Sequence, residues 1–319
     1  MPIRHLLSIA DLEYGEMMDI IHRSLVLATG TVERSLIGKA VGIYFRKTST
    51  RTRTSFSIGA GQLGAVTIAY GPKDLQTNTG ENIEDTASVL ACYLDALVVR
   101  TAESIAEMKL LASQNKMAII NAMSDNEHPT QALADLATMK ACFDGLENIE
   151  VLYVGEGNNT AAALALALNK IPGARLTVLS PPGYGIDLDA LYASGKLMRS
   201  QRGMIEQYHS CEYLPKGADV VYTTRWQTTG TSKGDPHWRD VFEPFRVTKA
   251  LMETVSKPSR TIFMHDLPAV RGEEVDAEVL DGPQSVAFRQ AHYKLFSAMA
   301  VLEWCILGKT LSRERTASD

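Results

Sequence analysis

The sequence predicts an α/β protein of two domains, each an open, mainly parallel sheet flanked by helices, with the active site in the cleft between them. The chain's 319 residues exceed what one small core serves, so two domains of roughly 150 residues are the default. Short apolar runs alternate with longer helical patterns from end to end, the mark of parallel βαβ units. The alternation comes as two consecutive series separated near Asp144-Gly145, which implies two sheets.

The elements follow in order. A helical pattern covers residues 9–28, and Ala40-Val41-Gly42-Ile43-Tyr44-Phe45 reads as a short buried strand. A helix over 53–63, a strand over 65–70, a helix over 83–93 and the strand Ala96-Leu97-Val98-Val99-Arg100 come next. Met117-Ala118-Ile119-Ile120-Asn121 is a further strand, and a helix starts at Pro129 after a loop. The second series opens with the strand 149–154, a glycine-rich turn over 155–159 and a helix of Ala and Leu reaching residue 170. Strands at 175–179, 218–222 and 261–264 complete it. Residues 230–247 have no clear period and read as a long functional loop. A last helical pattern, 290–307, is expected to pack back on the first domain. The expected organisation is therefore 1–143, 144–289 and a C-terminal helical segment, 290–319.

Composition removes several function classes. Hydrophobic residues form 45% and charged residues 22% of the chain, as in ordinary globular proteins. A net charge of −5 argues against nucleic acid as a partner, which wants a basic face. No apolar run approaches the roughly 20 residues of a membrane span, and the N-terminal stretch soon meets Asp11, Glu13 and Glu16, unlike a secretory signal. Cys92, Cys142, Cys211 and Cys305 lie far apart, which fits reduced thiols in the cytoplasm rather than a disulfide frame or a zinc site. No metal and no cofactor is expected.

The strongest local signal is Phe45-Arg46-Lys47-Thr48-Ser49-Thr50-Arg51-Thr52-Arg53-Thr54-Ser55-Phe56. It leaves a buried strand, turns through hydroxyl and guanidinium residues, and enters a helix. The start of a helix offers unpaired N–H groups and partial positive charge to a phosphate, and an arginine adds paired, charge-assisted bonds. The alternative is a plain helix cap with solvent-facing arginines.

Ser49-Thr50-Arg51-Thr52 in this setting resembles the aspartate and ornithine carbamoyltransferases. Arg100, closing a strand, matches the family's second arginine, and His128-Pro129-Thr130-Gln131 resembles its His-Pro-x-Gln motif. The resemblance implies that Ser49, Thr50, Arg51, Thr52 and Arg100 bind carbamoyl phosphate in the first domain, with His128 and Gln131 on the carbamoyl group. Arg51, Thr52, Arg100, His128 and Gln131 are the expected catalytic residues. Gln76, in Asp74-Leu75-Gln76-Thr77-Asn78-Thr79-Gly80, matches an ornithine-type glutamine that reaches a neighbouring subunit's site. A homotrimer with shared active sites is thus expected, its partners being carbamoyl phosphate and an amine-bearing acceptor.

The acceptor side gives mixed signals. Gly155-Glu156-Gly157-Asn158-Asn159 resembles the ornithine-type Gly-Asp-Gly-Asn-Asn, which makes Asn159 an acceptor contact. The same turn loosely imitates a dinucleotide fingerprint, so an NAD-dependent dehydrogenase is the reading from another class; the missing third glycine weakens it. His265-Asp266-Leu267-Pro268 resembles the His-Cys-Leu-Pro motif with Asp266 in place of cysteine and Leu267 still lining the site. Thr224 stands where ornithine enzymes have the aspartate that pairs with the α-ammonium. Thr224-Arg225-Trp226-Gln227 instead resembles the aspartate-type Thr-Arg-x-Gln, and Thr228-Thr229-Gly230 replaces Ser-Met-Gly. Thr224, Arg225, Gln227, Thr228 and Asp266 are accordingly expected to bind an amine acceptor other than plain ornithine, with ornithine second and aspartate third. Asp266 serves either the acceptor's nitrogen or a structural pair with Arg271. Lys294 stands at a family arginine position and offers a point charge only.

Overall fold

Two all-parallel sheets organise the chain. The computed structural model describes residues 3–101, 103–198, 202–212, 214–228, 232–308 and 310. Packing divides it into one unit of Met1–Asp125 with Tyr293–Asp319 and another of Asn126–His292. Sequence reading draws the first boundary after residue 143. The division after Asp125 instead groups the helix starting at Pro129 with the second unit, where its partners lie.

In the first unit, α1 (Tyr14–Thr29) leads to β1 (Ala40–Phe45), α2 (Arg51–Gln62), β2 (Val66–Tyr70), α3 (Ile83–Leu90), β3 (Ala96–Arg100), α4 (Ala106–Leu111) and β4 (Ala118–Asn121). The sheet order is β2-β1-β3-β4. Residues 41–45 of β1, and all of β3 and β4, are buried, as expected of parallel strands covered on both faces. Tyr44, Leu97, Val99, Met108, Leu111 and Ile119 form the core on one side.

In the second unit, α5 (Pro129–Cys142) precedes β5 (Glu150–Val154), α6 (Asn159–Asn169), β6 (Arg175–Leu179), α7 (Leu188–Ala193), β7 (Met204–Tyr208) and β8 (Val220–Thr223). Then come α8 (Trp238–Phe242), α9 (Lys249–Val255), β9 (Ile262–His265), α10 (Ala277–Leu280) and α11 (Ala287–Leu307). The sheet order is β7-β6-β5-β8-β9. Every residue of α6, and α5 from Pro129 to Met139, is buried; a helix covered all round has no polar stripe.

The stretch expected as one long loop is more ordered than its sequence suggests. Within its described part, α8 is followed by a 3-10 turn, Glu243–Phe245. Trp238 and Phe242 of this stretch form a small apolar cluster with Trp226. A five-residue helix is too short to display a 3.6-residue period. The C-terminal part of α11 belongs to the first unit, where buried Glu303 accepts two bonds from Arg23, at 2.7 and 2.9 Å. Among the described residues no helix is long and apolar enough to cross a membrane.

Candidate active site

Each sheet has a point where the strand order reverses, and open α/β sheets bind ligands beyond the carboxyl ends of the strands flanking it. In the first sheet the reversal falls between β1 and β3, whose last residues, Phe45 and Arg100, are register neighbours. The segment leaving β1 enters α2 at Arg51. Thr50 is its N-cap, yet no side chain caps the helix and its first turn holds no acidic residue. The first turn therefore carries the helix's partial positive charge with no acidic side chain to offset it. Thr52 is buried on that turn, and Arg100 Nη1 donates to its hydroxyl at 3.4 Å. Ser49 and Arg51 are half-buried and Thr50 is exposed. Arg46 belongs to the scaffold: its guanidinium pairs with Glu107 at 2.7 Å and Glu103 at 3.1 Å. Gln76 stands exposed at the start of the 3-10 turn Gln76–Thr79 after β2.

In the second unit, His128 is the N-cap of α5, with Pro129 at the first helical position and Gln131 in the first turn. Both His128 and Gln131 are buried. The His128 N–H donates to the Asn159 carbonyl at 3.1 Å, joining the starts of α5 and α6. Thr130 Oγ1 lies 3.3 Å from His128 Nδ1.

The reversal in the second sheet falls between β5 and β8, with β9 beyond β8. Val154, Thr223 and His265 end three adjacent strands, so the loops carrying 155–160, 224–228 and 266–267 meet. At their meeting point Asp266 accepts hydrogen bonds from Thr224 Oγ1 at 2.9 Å and Thr160 Oγ1 at 3.1 Å. Asn158 caps α6 by accepting from the N–H groups of Thr160 and Ala161, and its amide donates to Thr228 Oγ1 at 3.3 Å. Leu267 has a positive φ of 53°, held by its N–H donating to His265 Nδ1 at 2.8 Å. Such conformations collect at functional sites.

Two expectations are resolved by this geometry. Arg271 pairs with Asp281, at 2.7 and 2.9 Å, so the Arg271 pairing considered for Asp266 is not formed. The dinucleotide reading also fails, because Asn158 already occupies the N–H groups at the start of α6. A Cβ on Gly157 would stand 2.3 Å from Ile186 N; that glycine admits the protein's own backbone, not a pyrophosphate.

Arg225 is half-exposed and has no ion pair among the described residues, while Gln227 and Thr228 are half-buried. Asn159 is buried at the start of α6, and Lys294 is buried on α11. Thr229 and Gly230 lie outside the described residues. Sequence reading missed Thr160 and Lys233. Lys233 pairs with Glu156 and sits 4.5 Å from the Tyr184 ring centre and 5.0 Å from that of Phe242. Glu156 also accepts from Thr228 Oγ1 at 3.0 Å.

Sequence reading also missed the environment of Asp135, which is fully buried and receives Gln131 Nε2 and Gln290 Nε2, both at 2.7 Å, and the Tyr222 hydroxyl at 3.0 Å. Burial raises its carboxyl to about 7; the nearby Asp266 charge adds to the rise and the three donors oppose it. A contact network spread over residues 131 to 290 leaves no local signature in a single sequence.

The first cluster suits a phosphate, and the second, a carboxylate ringed by hydroxyl and amide groups, suits a small zwitterion. Comparison with known proteins agrees with this division. Residues 4–141 match the aspartate/ornithine carbamoyltransferase carbamoyl-P binding domain, and residues 147–305 match the Asp/Orn binding domain of the same family. An ornithine carbamoyltransferase of Methanothermobacter thermautotrophicus is 37% identical over 303 residues, 95% of this chain and 98% of the relative. One from Caldicellulosiruptor saccharolyticus is 37% identical over 314 residues, 96% and 100% of the two chains. The solved ornithine carbamoyltransferase of Pyrococcus furiosus superposes with a TM-score of 0.86 at 36% identity, over 96% of this chain and 97% of its own.

Proposed function

The chain belongs to the aspartate/ornithine carbamoyltransferase family, and from that premise we propose that it transfers the carbamoyl group of carbamoyl phosphate to the δ-amine of ornithine, giving citrulline and phosphate. The reading is carried by one observation. The aspartate expected at position 224 is a threonine, but its hydroxyl donates to the Asp266 carboxylate at 2.9 Å. A carboxylate thus stays within one hydrogen bond of the place where the α-ammonium is expected, and the objection to ornithine raised by Thr224 loses its force. The relatives named above are consistent with this acceptor.

On this reading Ser49, Thr50, Arg51, the first turn of α2 and Arg100 hold the phosphate. The neutral amine forms an N–C bond at the carbamoyl carbon while the C–O bond to phosphate breaks, and the departing phosphate takes the amine's surplus proton. Thr52, Arg100 and His128 donate to the oxygen that gains charge. On this reading His128 carries its proton on Nε2, the tautomer able to donate, and Nδ1 accepts from the Thr130 hydroxyl 3.3 Å away. Gln131 accepts from the carbamoyl NH₂. Asn158, Asn159, Thr228 and Leu267 line the acceptor, Asp266 holds its ammonium, and Arg225 and Gln227 hold its carboxylate.

A second reading, an acceptor acid other than ornithine, is favoured by Arg225, a cation of the aspartate-type motif with no carboxylate partner among the described residues. Ureido-product formation from labelled carbamoyl phosphate across ornithine, other diamino acids and dicarboxylic amino acids separates the two. Ornithine should have the highest kcat/KM; a tenfold better rival overturns the ornithine reading. No product from any amine, with carbamoyl phosphate still protecting the protein from unfolding, overturns transfer itself.

We also propose a cytoplasmic homotrimer in which Gln76 completes a neighbour's site. The edge strand β2 supports self-assembly: Val66 is 70% and Ile68 46% exposed, and Ile37 and Ile58 of the same unit are exposed too. Exposed apolar groups along an unpaired edge are what association covers. Sedimentation reporting a fully active monomer would refute it.

A further inference from the structure

We propose that Asp135 is the positioning residue that fixes which end of the Gln131 amide meets the donor substrate, and through it makes the enzyme discriminate carbamoyl phosphate from acetyl phosphate. The proposal rests on the reading that Gln131 contacts the carbamoyl group, and it deepens that reading.

A backbone N–H cannot be reversed, whereas side-chain amides are oriented only by their partners. The His265 N–H donates to Gln290 Oε1 at 2.9 Å, so the Gln290 nitrogen must point the other way. It donates to Asp135 Oδ1 at 2.7 Å and to the Tyr222 oxygen at 3.1 Å. Tyr222 in turn donates its hydroxyl proton to Asp135 Oδ2 at 3.0 Å. Asp135 Oδ1 is thereby an acceptor, and the Gln131 group 2.7 Å from it is the NH₂. Gln131 Oε1 is then directed away from Asp135, the orientation able to accept from a carbamoyl NH₂. Protonation of Asp135 does not reverse this, because a proton on Oδ2 leaves Oδ1 an acceptor.

The chain of bonds has a chemical consequence. Acetyl phosphate carries a methyl group where carbamoyl phosphate carries NH₂, so an amide oxygen locked toward that position gains no donor from acetyl phosphate. A buried polar group that loses its partner costs more than one never offered. Without Asp135 the Gln131 amide can turn, and the distinction between NH₂ and CH₃ fades. The same bonds join Gln131 to the backbone next to Asp266, so one network sets the donor contact and the β9 end of the acceptor cluster.

The test is the ratio of the acetyl phosphate inhibition constant to the carbamoyl phosphate KM in four variants of the full chain. Asp135→Leu should lower this ratio by about tenfold, the scale of one hydrogen bond with a buried partner left unmade. Asp135→Asn should keep it within about threefold of the parent, because only its carbonyl oxygen can face the two glutamine NH₂ groups. Gln290→Leu disturbs the same network but leaves Gln131 its acceptor, and should also keep the ratio. Gln131→Met should abolish the discrimination. If Gln131→Met leaves the ratio intact, the reading of Gln131 falls, and the proposal with it. If Gln131→Met lowers it while Asp135→Leu does not, or if Gln290→Leu lowers it as much as Asp135→Leu, positioning by Asp135 is overturned. Should the leucine variant not fold, Asp135→Ser, which leaves room for water, is read in its place.

Discussion

Replacing Arg225 by alanine tests the acceptor site most directly, because the residue has little structural work to lose. Its side chain is half-exposed and has no ion pair among the described residues, so the change should move folding stability by less than about 0.5 kcal/mol. A guanidinium fork on a carboxylate gives charge-assisted bonds, of which the stronger contribute about 1.5–3 kcal/mol. Partial exposure allows solvent screening, which brings the expected loss to about 1.4–2 kcal/mol. At 1.4 kcal/mol per decade this is a rise of about ten- to thirtyfold in acceptor KM. Because the contact holds substrate and transition state alike, kcat should change little. Arg225→Lys keeps the charge but loses the fork, and should recover only part of the affinity. Initial rates with varied ornithine at saturating carbamoyl phosphate, together with carbamoyl phosphate affinity, decide the matter. An acceptor KM within twofold of the parent, or an equal loss of affinity for carbamoyl phosphate, would refute the assignment.

Four further perturbations probe other parts. Arg51→Ala should weaken carbamoyl phosphate about a hundredfold whatever amine is supplied; an effect that depends on the amine would contradict a phosphate role. Gly157→Ala drives a Cβ against Ile186 N at 2.3 Å and should cost about 1–3 kcal/mol of stability, with poorer acceptor binding; an unchanged Tm would show that the turn relaxes freely. Burial raises Asp135 from its usual 3.8 to about 7, so the folded chain holds this proton more tightly than the unfolded one. Its stability contribution is complete below the unfolded pKa and is lost as pH rises through the folded value, by up to about 4 kcal/mol; the stability of the parent relative to Asp135→Asn should therefore fall between pH 4 and pH 7, and a rise would refute the shift. Asp266→Cys should raise ornithine KM about tenfold and Thr224→Asp alone should also impair it by crowding two carboxylates, while the double variant should return to within about threefold of the parent. Losses that simply add in the double variant would refute a shared role.

What could be read in the sequence was what is contiguous in it. The strands 40–45, 96–100 and 175–179 have the expected limits, because strands covered on both faces are spelled mostly by apolar residues. The turn from β1 into α2 is legible for the same reason, although the helix begins at Arg51, two residues before the expected start at 53. β7 was missed because this edge strand, Met204–Tyr208, is only partly covered and reads Met-Ile-Glu-Gln-Tyr. α8 was missed because five residues display no period. Asp135 looked like one more polar residue in a helix, since its partners Tyr222 and Gln290 are far away in sequence.

On the ornithine reading, position-by-position comparison misleads on the acceptor side. Taken separately, Thr224 is a lost carboxylate and Asp266 a gained one, and the pair argues for a different substrate. Taken together in space, Thr224 Oγ1 donates to Asp266 Oδ1 at 2.9 Å, and Thr160 holds the other oxygen at 3.1 Å. An ammonium responds to where negative charge lies and not to which strand supplies it. Moving a carboxylate from the end of β8 to the end of β9, adjacent strands of one sheet, changes the sequence at two motifs and the local field far less. On the same reading Thr224 has a part in the site, since its hydroxyl donates to the Asp266 carboxylate. Electrostatic function is preserved by the sum of charges at a place, so two substitutions that each break a motif can together keep its chemistry.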